Sequence, residues 1–270
     1  MKYDDMYWGV AYMTMETMLI IGHPGHEIRC HGWMARLRPE VHVLTSGGGA
    51  SRAGRTESTR RTVETAGARC GKLFGDFSDH EIYAFLLGAD HTPLVTWTAA
   101  LAAEIRRQEP RLLVTDMVEG YNSSHDLLAY LVDVAVTHAA AAGAKPTEVW
   151  SQPLIGRPDQ AWEGRLRPVE TLMLNNEEYE RKMEAARGYP ELSAEVELAL
   201  LETGAEAFRC EAFYAMPRGE ALLDALPSFP PYYETYGEEQ VRRGKYSQVI
   251  RHREHLKPFV GTVRRRLGIG

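Results

Sequence analysis

The chain has 270 residues, with 31 Lys and Arg against 37 Asp and Glu, so its formal net charge is −6 with histidine neutral. This mild acidity argues against a protein whose main role is to neutralise nucleic-acid phosphates. Hydrophobic residues make up 44% and charged residues 25%, a composition that is typical of a globular domain and excludes a disordered, fibrous or membrane chain.

Three widely spaced cysteines, Cys30, Cys70 and Cys210, form no CxxC pair. They indicate a reducing compartment and no disulfide framework. The longest apolar stretches fall well short of the roughly 18 residues that span a bilayer. The amino terminus carries aspartates where a signal peptide needs basic residues. We therefore expect a cytoplasmic protein with no membrane and no nucleic-acid partner.

The predicted elements start at Met18, after an N-terminal extension that we place at residues 1–17. Apolar runs and helical periodicity then alternate along the chain. Strands are predicted at 18–22, 41–45, 111–115 and 147–151, and helices at 55–68, 93–109 and 125–141. Further on, we predict a loop at 156–168, helices near 176–187 and 191–204, a strand at 207–214, and an extended or turn-like segment at 227–233.

Strands that alternate with helices predict an α/β domain with a mostly parallel sheet and crossovers on both faces. We expect a single domain over residues 18–270, with a C-terminal elaboration from about residue 215. In such sheets, ligands bind at the carboxyl ends of the strands. Side chains that follow the predicted strands are therefore the first candidates for chemistry.

Three histidines are predicted at this edge of the sheet. His23 and His26 flank the turn after the first strand, and His125 ends the loop that follows the strand at 111–115. A single histidine is more often a satisfied polar residue than a ligand, but the strand-end turn favours ligation by the first two. Three neutral imidazoles that converge hold a borderline metal such as zinc and leave a position open for water.

The residues around these histidines resemble a known family. Ile20-Ile-Gly-His-Pro-Gly-His-Glu27 is similar to the AHPDDE signature of the LmbE-like (PIG-L) deacetylases, and Asn122-Ser-Ser-His125 falls where that family has its HPDH signature. Weaker similarity covers residues 55–67 and 208–213. The resemblance implies a Rossmann-like three-layer sandwich and a metal-dependent hydrolase that removes acyl groups from N-acetylglucosamine derivatives and related amides.

Carried over residue by residue, the resemblance makes His23 and His125 the first and last metal ligands. His26 stands in place of the family's metal-binding aspartate, so a ligand is kept and one negative charge is lost. Gly25 stands where the family has its general-base aspartate, and glycine cannot accept a proton. Asn122 replaces a histidine that helps to stabilise the oxyanion, and it can still donate a hydrogen bond.

Another carboxylate must then accept the proton. Asp116 is the first choice, and Glu119 and Glu27 are the other candidates. The alternative interpretation of Asp116 and Glu119 is that they belong to a solvated loop without a catalytic role. The alternative for Glu27 is a structural role, because a carboxylate in the first turn of a helix is favoured by the helix dipole. Arg52, at the end of the glycine-rich loop, and Arg55, just after it, are predicted to bind an anionic or hydroxylated part of the substrate. A tight strand-to-helix connection is the alternative interpretation of the glycines.

The leading hypothesis is a zinc-dependent hydrolase that cleaves the C–N amide bond of an N-acylated small molecule such as an N-acetyl amino sugar. Iron or another divalent metal is the alternative ion, and a non-hydrolytic or redox enzyme of a specialised biosynthetic pathway is the second hypothesis. The third is a non-catalytic sugar-binding protein. Residues 232–236 contain three tyrosines and precede several arginines, which suits sugar or anion recognition and equally a homo-oligomer interface.

Overall fold

The computed structural model describes residues 16–48, 54–88 and 90–269. Within them, five parallel strands form the central sheet in the order β3-β2-β1-β4-β5. The strands are β1 Thr17–Ile21, β2 Glu40–Thr45, β3 Arg69–Phe77, β4 Leu112–Asp116 and β5 Glu148–Gln152. The first 15 residues of the predicted extension lie outside the described residues, and Thr17 already belongs to β1.

Helices cover both faces of this sheet. They are α1 His31–Leu37, α2 Thr56–Thr65, α3 Asp79–Leu87, α4 Thr92–Gln108, α5 Ser123–Ala141, α6 Asn176–Arg187, α7 Ser193–Thr203, α8 Glu220–Leu223, α9 Tyr232–Arg242 and α10 Lys257–Arg266. Short 3₁₀ turns occupy His26–Cys30, Pro158–Gln160, Pro190–Leu192 and Ala205–Arg209, and a π turn occupies His252–Leu256. In the described part of the chain, no helix combines the length and apolar character that crossing a membrane requires.

The alternation of side chains along β1 divides the core into two layers. Met18 and Ile20 pack with residues of α4, α5 and α10, whereas Leu19 and Ile21 pack with residues of α1 and α6. All four side chains are fully buried. Because successive side chains of a strand point to opposite faces, one apolar run supplies both layers. The predicted three-layer α/β fold with a mostly parallel sheet is confirmed.

A second, two-stranded sheet extends the edge at β5. It pairs β6 Glu170–Met173 with β7 Cys210–Phe213 in antiparallel register, and the bridge between Ser151 and Tyr214 joins it to the main sheet. Within the strand predicted at 207–214, the residues before Cys210 form a 3₁₀ turn instead. The segment predicted as extended at 227–233 becomes helical at Tyr232.

Candidate metal and substrate site

The turn after β1 places two imidazoles at the carboxyl edge of the sheet. Gly25 lies in this turn with φ +104°, and a Cβ at this position would lie 2.1 Å from Leu192 Cδ1. Left-handed backbone and the close approach of Leu192 both require glycine here. The position that carries the general-base aspartate in the family resembled is therefore closed to a side chain in this protein.

The imidazoles of His23, His26 and His125 form one cluster. Their ring centroids lie 5.2, 4.7 and 4.5 Å apart, and one nitrogen from each ring lies within 4.8 Å of the others. Two zinc–nitrogen bonds span at most about 4.2 Å, so small ring rotations would bring these nitrogens to bonding distance. His125 belongs to the first turn of α5, which starts on the same edge.

A buried carboxylate orients the ring of His26. The Nδ1 atom of His26 lies 2.7 Å from Asp116 Oδ2, and the same oxygen accepts a hydrogen bond from the Gly22 N–H at 2.7 Å. Gln152 donates to Asp116 Oδ1 at 3.3 Å. Asp116 is completely buried, so it lies behind His26 and leaves Nε2 of that ring for an ion.

His23 is held from the other side. Its Nε2 lies 2.5 Å from Asp79 Oδ1 and 3.4 Å from Ser124 Oγ. Its Nδ1 is buried without a hydrogen-bond partner among the described residues. A buried polar atom without a partner is costly unless a ligand satisfies it, which fits a metal ion at this nitrogen.

The protonation of His125 also fits metal binding. Burial lowers the pKa of His125 well below its usual value, and the neighbouring His26 and His23 lower it further. The ring is therefore neutral near pH 7 and keeps a lone pair for a metal.

The imidazole cluster opens into a cavity of about 600 Å³. Its lining combines a group of aliphatic side chains, several of them from α7, with a group of polar side chains. The aliphatic group includes Leu154, Ile155, Leu192, Val196, Ala199 and Leu200, and the polar group includes Arg55, Asp79, Tyr83, Tyr121 and Asn122. Apolar lining with a few convergent polar groups is typical of small-molecule sites.

Two of the predicted carboxylates bind backbone groups instead. Glu27 accepts a hydrogen bond from the Gly25 N–H at 2.7 Å, and Glu119 accepts from Leu154 and Ile155 at 2.9 and 3.2 Å. Burial raises the pKa of Glu27 to about 7 and that of Glu119 to about 8. Neither is among the described residues that line the cavity, so both fix loops around it.

The structure describes two of the three remaining predicted site residues. Asn122 lines the cavity and caps α5, with its Oδ1 accepting from the Ser124 N–H at 2.9 Å. Arg55 lines the cavity, and its guanidinium lies 3.8 Å from Glu195. Arg52 lies outside the described residues.

Asp79 is a site residue that the sequence analysis missed. It follows β3, a strand that was not predicted, and it begins α3 after the capping box of Ser78 and Glu81. Burial favours the neutral acid, but the hydrogen bond and charge of His23 outweigh it and lower the pKa of Asp79. The Ser-x-x-Glu spacing at 78–81 was the available signal for this strand-to-helix junction.

Fold and site together define an α/β protein with a three-histidine cluster at the carboxyl edge of a parallel sheet, suited to a divalent metal. No protein-family model matches the chain, and no curated protein sequence does. A solved triple mutant of a deacetylase from the teicoplanin biosynthetic pathway is similar, with a TM-score of 0.50 and 16% identity over 76% of this chain and 99% of that chain.

A second solved structure, a conserved protein from Thermus thermophilus, gives a TM-score of 0.49 and 18% identity over 76% of this chain and 96% of that chain. At 16% identity, the likeness to the first of these structures supports the fold alone and leaves function to be argued from the site.

Proposed function

We propose that this protein is a metal-dependent hydrolase that cleaves the C–N amide bond of an N-acylated small molecule, with N-acetyl amino sugars as the substrate class. The observation that carries the proposal is the cluster of three imidazoles within 4.8 Å of one another at the mouth of a 600 Å³ cavity. The deacetylase with a similar fold is consistent with it.

His23, His26 and His125 would hold the ion. Imidazole donors suit zinc and also iron and other late divalent metals. When bound, such an ion polarises an acyl carbonyl and makes water more acidic. Asp116 fixes the tautomer of His26 through Nδ1, so we assign it the role of a positioning residue.

We assign the proton-accepting role to Asp79. Its side chain is 22% exposed, lines the cavity and contacts His23. The carboxylates predicted from sequence are absent from the described lining of the cavity: Asp116 is completely buried behind His26, and Glu119 and Glu27 accept from backbone N–H groups. A general base must lie within hydrogen-bond reach of the proton that it takes, and Asp79 lies at the mouth of the cluster.

Two further residues would bind the substrate. The Nδ2 group of Asn122 can donate to an oxygen that gains negative charge, while its Oδ1 caps α5. Arg55 adds a cationic group on the same side of the cavity, where it can bind a hydroxyl or an anionic group of the substrate. The aliphatic side chains accommodate the acyl group.

The test is release of free amine from a panel of N-acetyl amino sugars by the full-length protein loaded with zinc. Replacing Asp79 by Asn removes the base, and we expect a rate loss of about 10²–10⁴-fold when both proteins are measured at saturating zinc, so that the lost contact with His23 does not limit metal content. His138→Ala, on the last turn of α5 and remote from the cluster, is the control. Equal activity of Asp79→Asn and the wild type would exclude Asp79 as the base.

One observation favours a second function. The position of the base in the resembled family is closed by Gly25 and Leu192, and the cluster consists of three neutral donors. This arrangement also suits a redox-active ion and a non-hydrolytic reaction. Activity that appears with iron(II) and disappears when zinc replaces it would support this function over hydrolysis.

A further inference from the structure

A second cavity, of about 750 Å³, adjoins the metal site. Tyr83, Tyr121 and Asn122 line both cavities, so the two spaces share a wall. The far side of the second cavity comes from α9 and the residues that follow it. A molecule bound at the imidazoles therefore lies next to the second cavity, with Tyr83, Tyr121 and Asn122 at the boundary between the two.

Tyrosine rings dominate the walls of this second cavity, which we call the tyrosine cavity. The rings of Tyr121 and Tyr232 lie 5.2 Å apart and within 9° of parallel, and Tyr236 lies 5.9 Å from Tyr232. These rings and that of Tyr246 are each between 43% and 51% exposed. Such a group of half-exposed aromatic faces marks a binding surface rather than ordinary surface variation.

The polar groups of the tyrosine cavity are mostly hydrogen-bond donors. Lys245, His80, Ser247 and Gln248 lie among the tyrosine hydroxyls, and the described lining residues include no Asp or Glu. The Lys245 ammonium repels a cationic ligand, and no carboxylate of the described lining offsets that charge. The lining therefore favours a neutral or anionic group with a flat face and acceptor oxygens.

The walls are held in place without a ligand. The Tyr233 N–H donates to the Gly120 carbonyl at 3.2 Å, and the Tyr233 hydroxyl lies 3.1 Å from His252 Nδ1. Glu234, which is 5% exposed, accepts from the His252 N–H at 2.9 Å and from Arg251 at 3.1 Å. A preformed cavity loses little conformational entropy on binding.

We propose that the tyrosine cavity is a subsite for an oxygen-bearing aromatic ring of the substrate, joined to the N-acylated part that reaches the three imidazoles. This inference rests on the proposed function for the identity of the reacting end. The stacking face of Tyr121 and Tyr232 would bind the ring, and the surrounding donors would bind its oxygens. The substrate would then be an aryl glycoside or a related conjugate rather than a free amino sugar.

The experiment compares the binding of two probes to the full-length protein by calorimetry: phenyl β-D-glucoside and methyl β-D-glucoside. Neither probe contains an amide, so binding does not depend on hydrolysis. We expect the phenyl compound to bind at least about twofold more tightly, since an aromatic pair adds about two- to tenfold in affinity. Tyr232→Ala should abolish the preference, and Tyr232→Phe should retain it.

Two controls separate the subsite from the metal site. Met173→Ala changes an exposed residue outside both cavities and should leave the preference unchanged. His26→Ala should remove metal-dependent activity and keep the preference for the phenyl probe. Equal binding of both probes by the wild type, no binding of the phenyl probe, or a preference that survives in Tyr232→Ala would each overturn the subsite and leave the proposed hydrolysis untouched.

Discussion

At the scale of single residues, the site depends on carboxylates that hold imidazoles in place. Asp116 is completely buried and contacts His26 at 2.7 Å, while Asp79 contacts His23 at 2.5 Å from the cavity side. The two carboxylates thus have different surroundings although each contacts one histidine. In the proposed mechanism these surroundings correspond to different roles, with Asp116 orienting a ligand and Asp79 accepting a proton.

Asp116→Asn should weaken metal binding by about 10- to 100-fold, because an amide orients and polarises the His26 ring less well than a carboxylate. Competition with a chromogenic zinc chelator measures the change. Asp133→Asn, a buried aspartate of α5 that is 5% exposed and pairs with Arg218, is the matched control. Equal zinc affinity of Asp116→Asn and the wild type would show that Asp116 has no orienting role.

Gly25→Ala should destabilise the protein more than Gly143→Ala does. Both glycines have positive φ, +104° and +89°, but a Cβ at Gly143 meets nothing within 4 Å, while one at Gly25 meets Leu192. Left-handed backbone alone costs about 1–2 kcal/mol in free energy of unfolding. Urea denaturation of metal-free protein measures the excess at Gly25.

An equal loss in free energy of unfolding for Gly25→Ala and Gly143→Ala would mean that Leu192 does not hinder a side chain at position 25. Leu192→Ala provides a second check, because it removes the atoms that a Cβ at Gly25 would contact. In that background the two glycine substitutions should have similar costs.

Sequence alone was informative about the histidines and less so about their partners. His23 and His26 follow the apolar run Met-Leu-Ile-Ile at 18–21, which can be identified as a strand without any contact information. Asp79 gave no such signal, because it meets His23 through a separation of 56 residues. The engagement of Glu119 by Leu154 and Ile155 depends in the same way on a loop that closes only in the folded chain.

At the scale of elements, one ion pair ties the second sheet to the site. Glu211 of β7 accepts from the Gly32 and Trp33 N–H groups of α1 at 2.8 Å each. It also accepts from Lys182 of α6 at 2.9 Å, and both side chains of this pair are at most 2% exposed. Because Lys182 also lines the 600 Å³ cavity beside the imidazoles, the ion pair fixes the position of α6 against this cavity.

Lys182→Met should lower the free energy of unfolding by about 3–5 kcal/mol, since it leaves the Glu211 charge buried without its partner. Adding Glu211→Gln to Lys182→Met should recover part of this loss. Arg181→Met breaks an exposed pair with Glu177 on the same helix and should cost less than about 1 kcal/mol. Similar losses for Lys182→Met and Arg181→Met in chemical denaturation would contradict the assignment.

The strands that sequence analysis missed share a physical feature. β3, Arg69–Phe77, is only partly buried along its length and contains Gly71 and Gly75, so it has neither an apolar run nor a regular alternation. β6 is a four-residue strand with one buried side chain. The predicted strands β1 and β4 are buried at every position. A strand that is buried on both faces has a nearly continuous apolar sequence, so it can be predicted from the sequence.

At the scale of the whole molecule, buried acids make stability depend on pH. Burial raises the pKa of Glu27 and Asp126 to about 7 and that of Glu119 to about 8. The folded state therefore holds these protons more tightly than the unfolded chain, whose carboxyl pKa values are near 4. The resulting stability is fully present below about pH 4 and is lost as the pH rises through 7 to 8.

The melting temperature of the metal-free protein should accordingly fall between pH 7 and 8.5, above the range in which His31, His125 and His252, whose pKa values are lowered by burial, have the opposite effect. Glu119→Gln should make this fall shallower. Differential scanning fluorimetry at several pH values measures both slopes. Glu206→Gln, which changes an exposed acid with 78% side-chain exposure, should keep the wild-type slope. A Glu119→Gln slope as steep as that of the wild type would contradict the raised pKa of Glu119.

The proposed site requires the folded chain to bind one divalent ion between β1 and α5. The metal content of the purified protein tests this requirement. Full-length wild type, His26→Ala, His125→Ala and His138→Ala are equilibrated with zinc, freed of loosely bound ions, and measured by mass spectrometry of the metal. We expect one zinc ion per chain in the wild type and in His138→Ala, and almost none in the other two. Full zinc occupancy in both His26→Ala and His125→Ala would contradict the site.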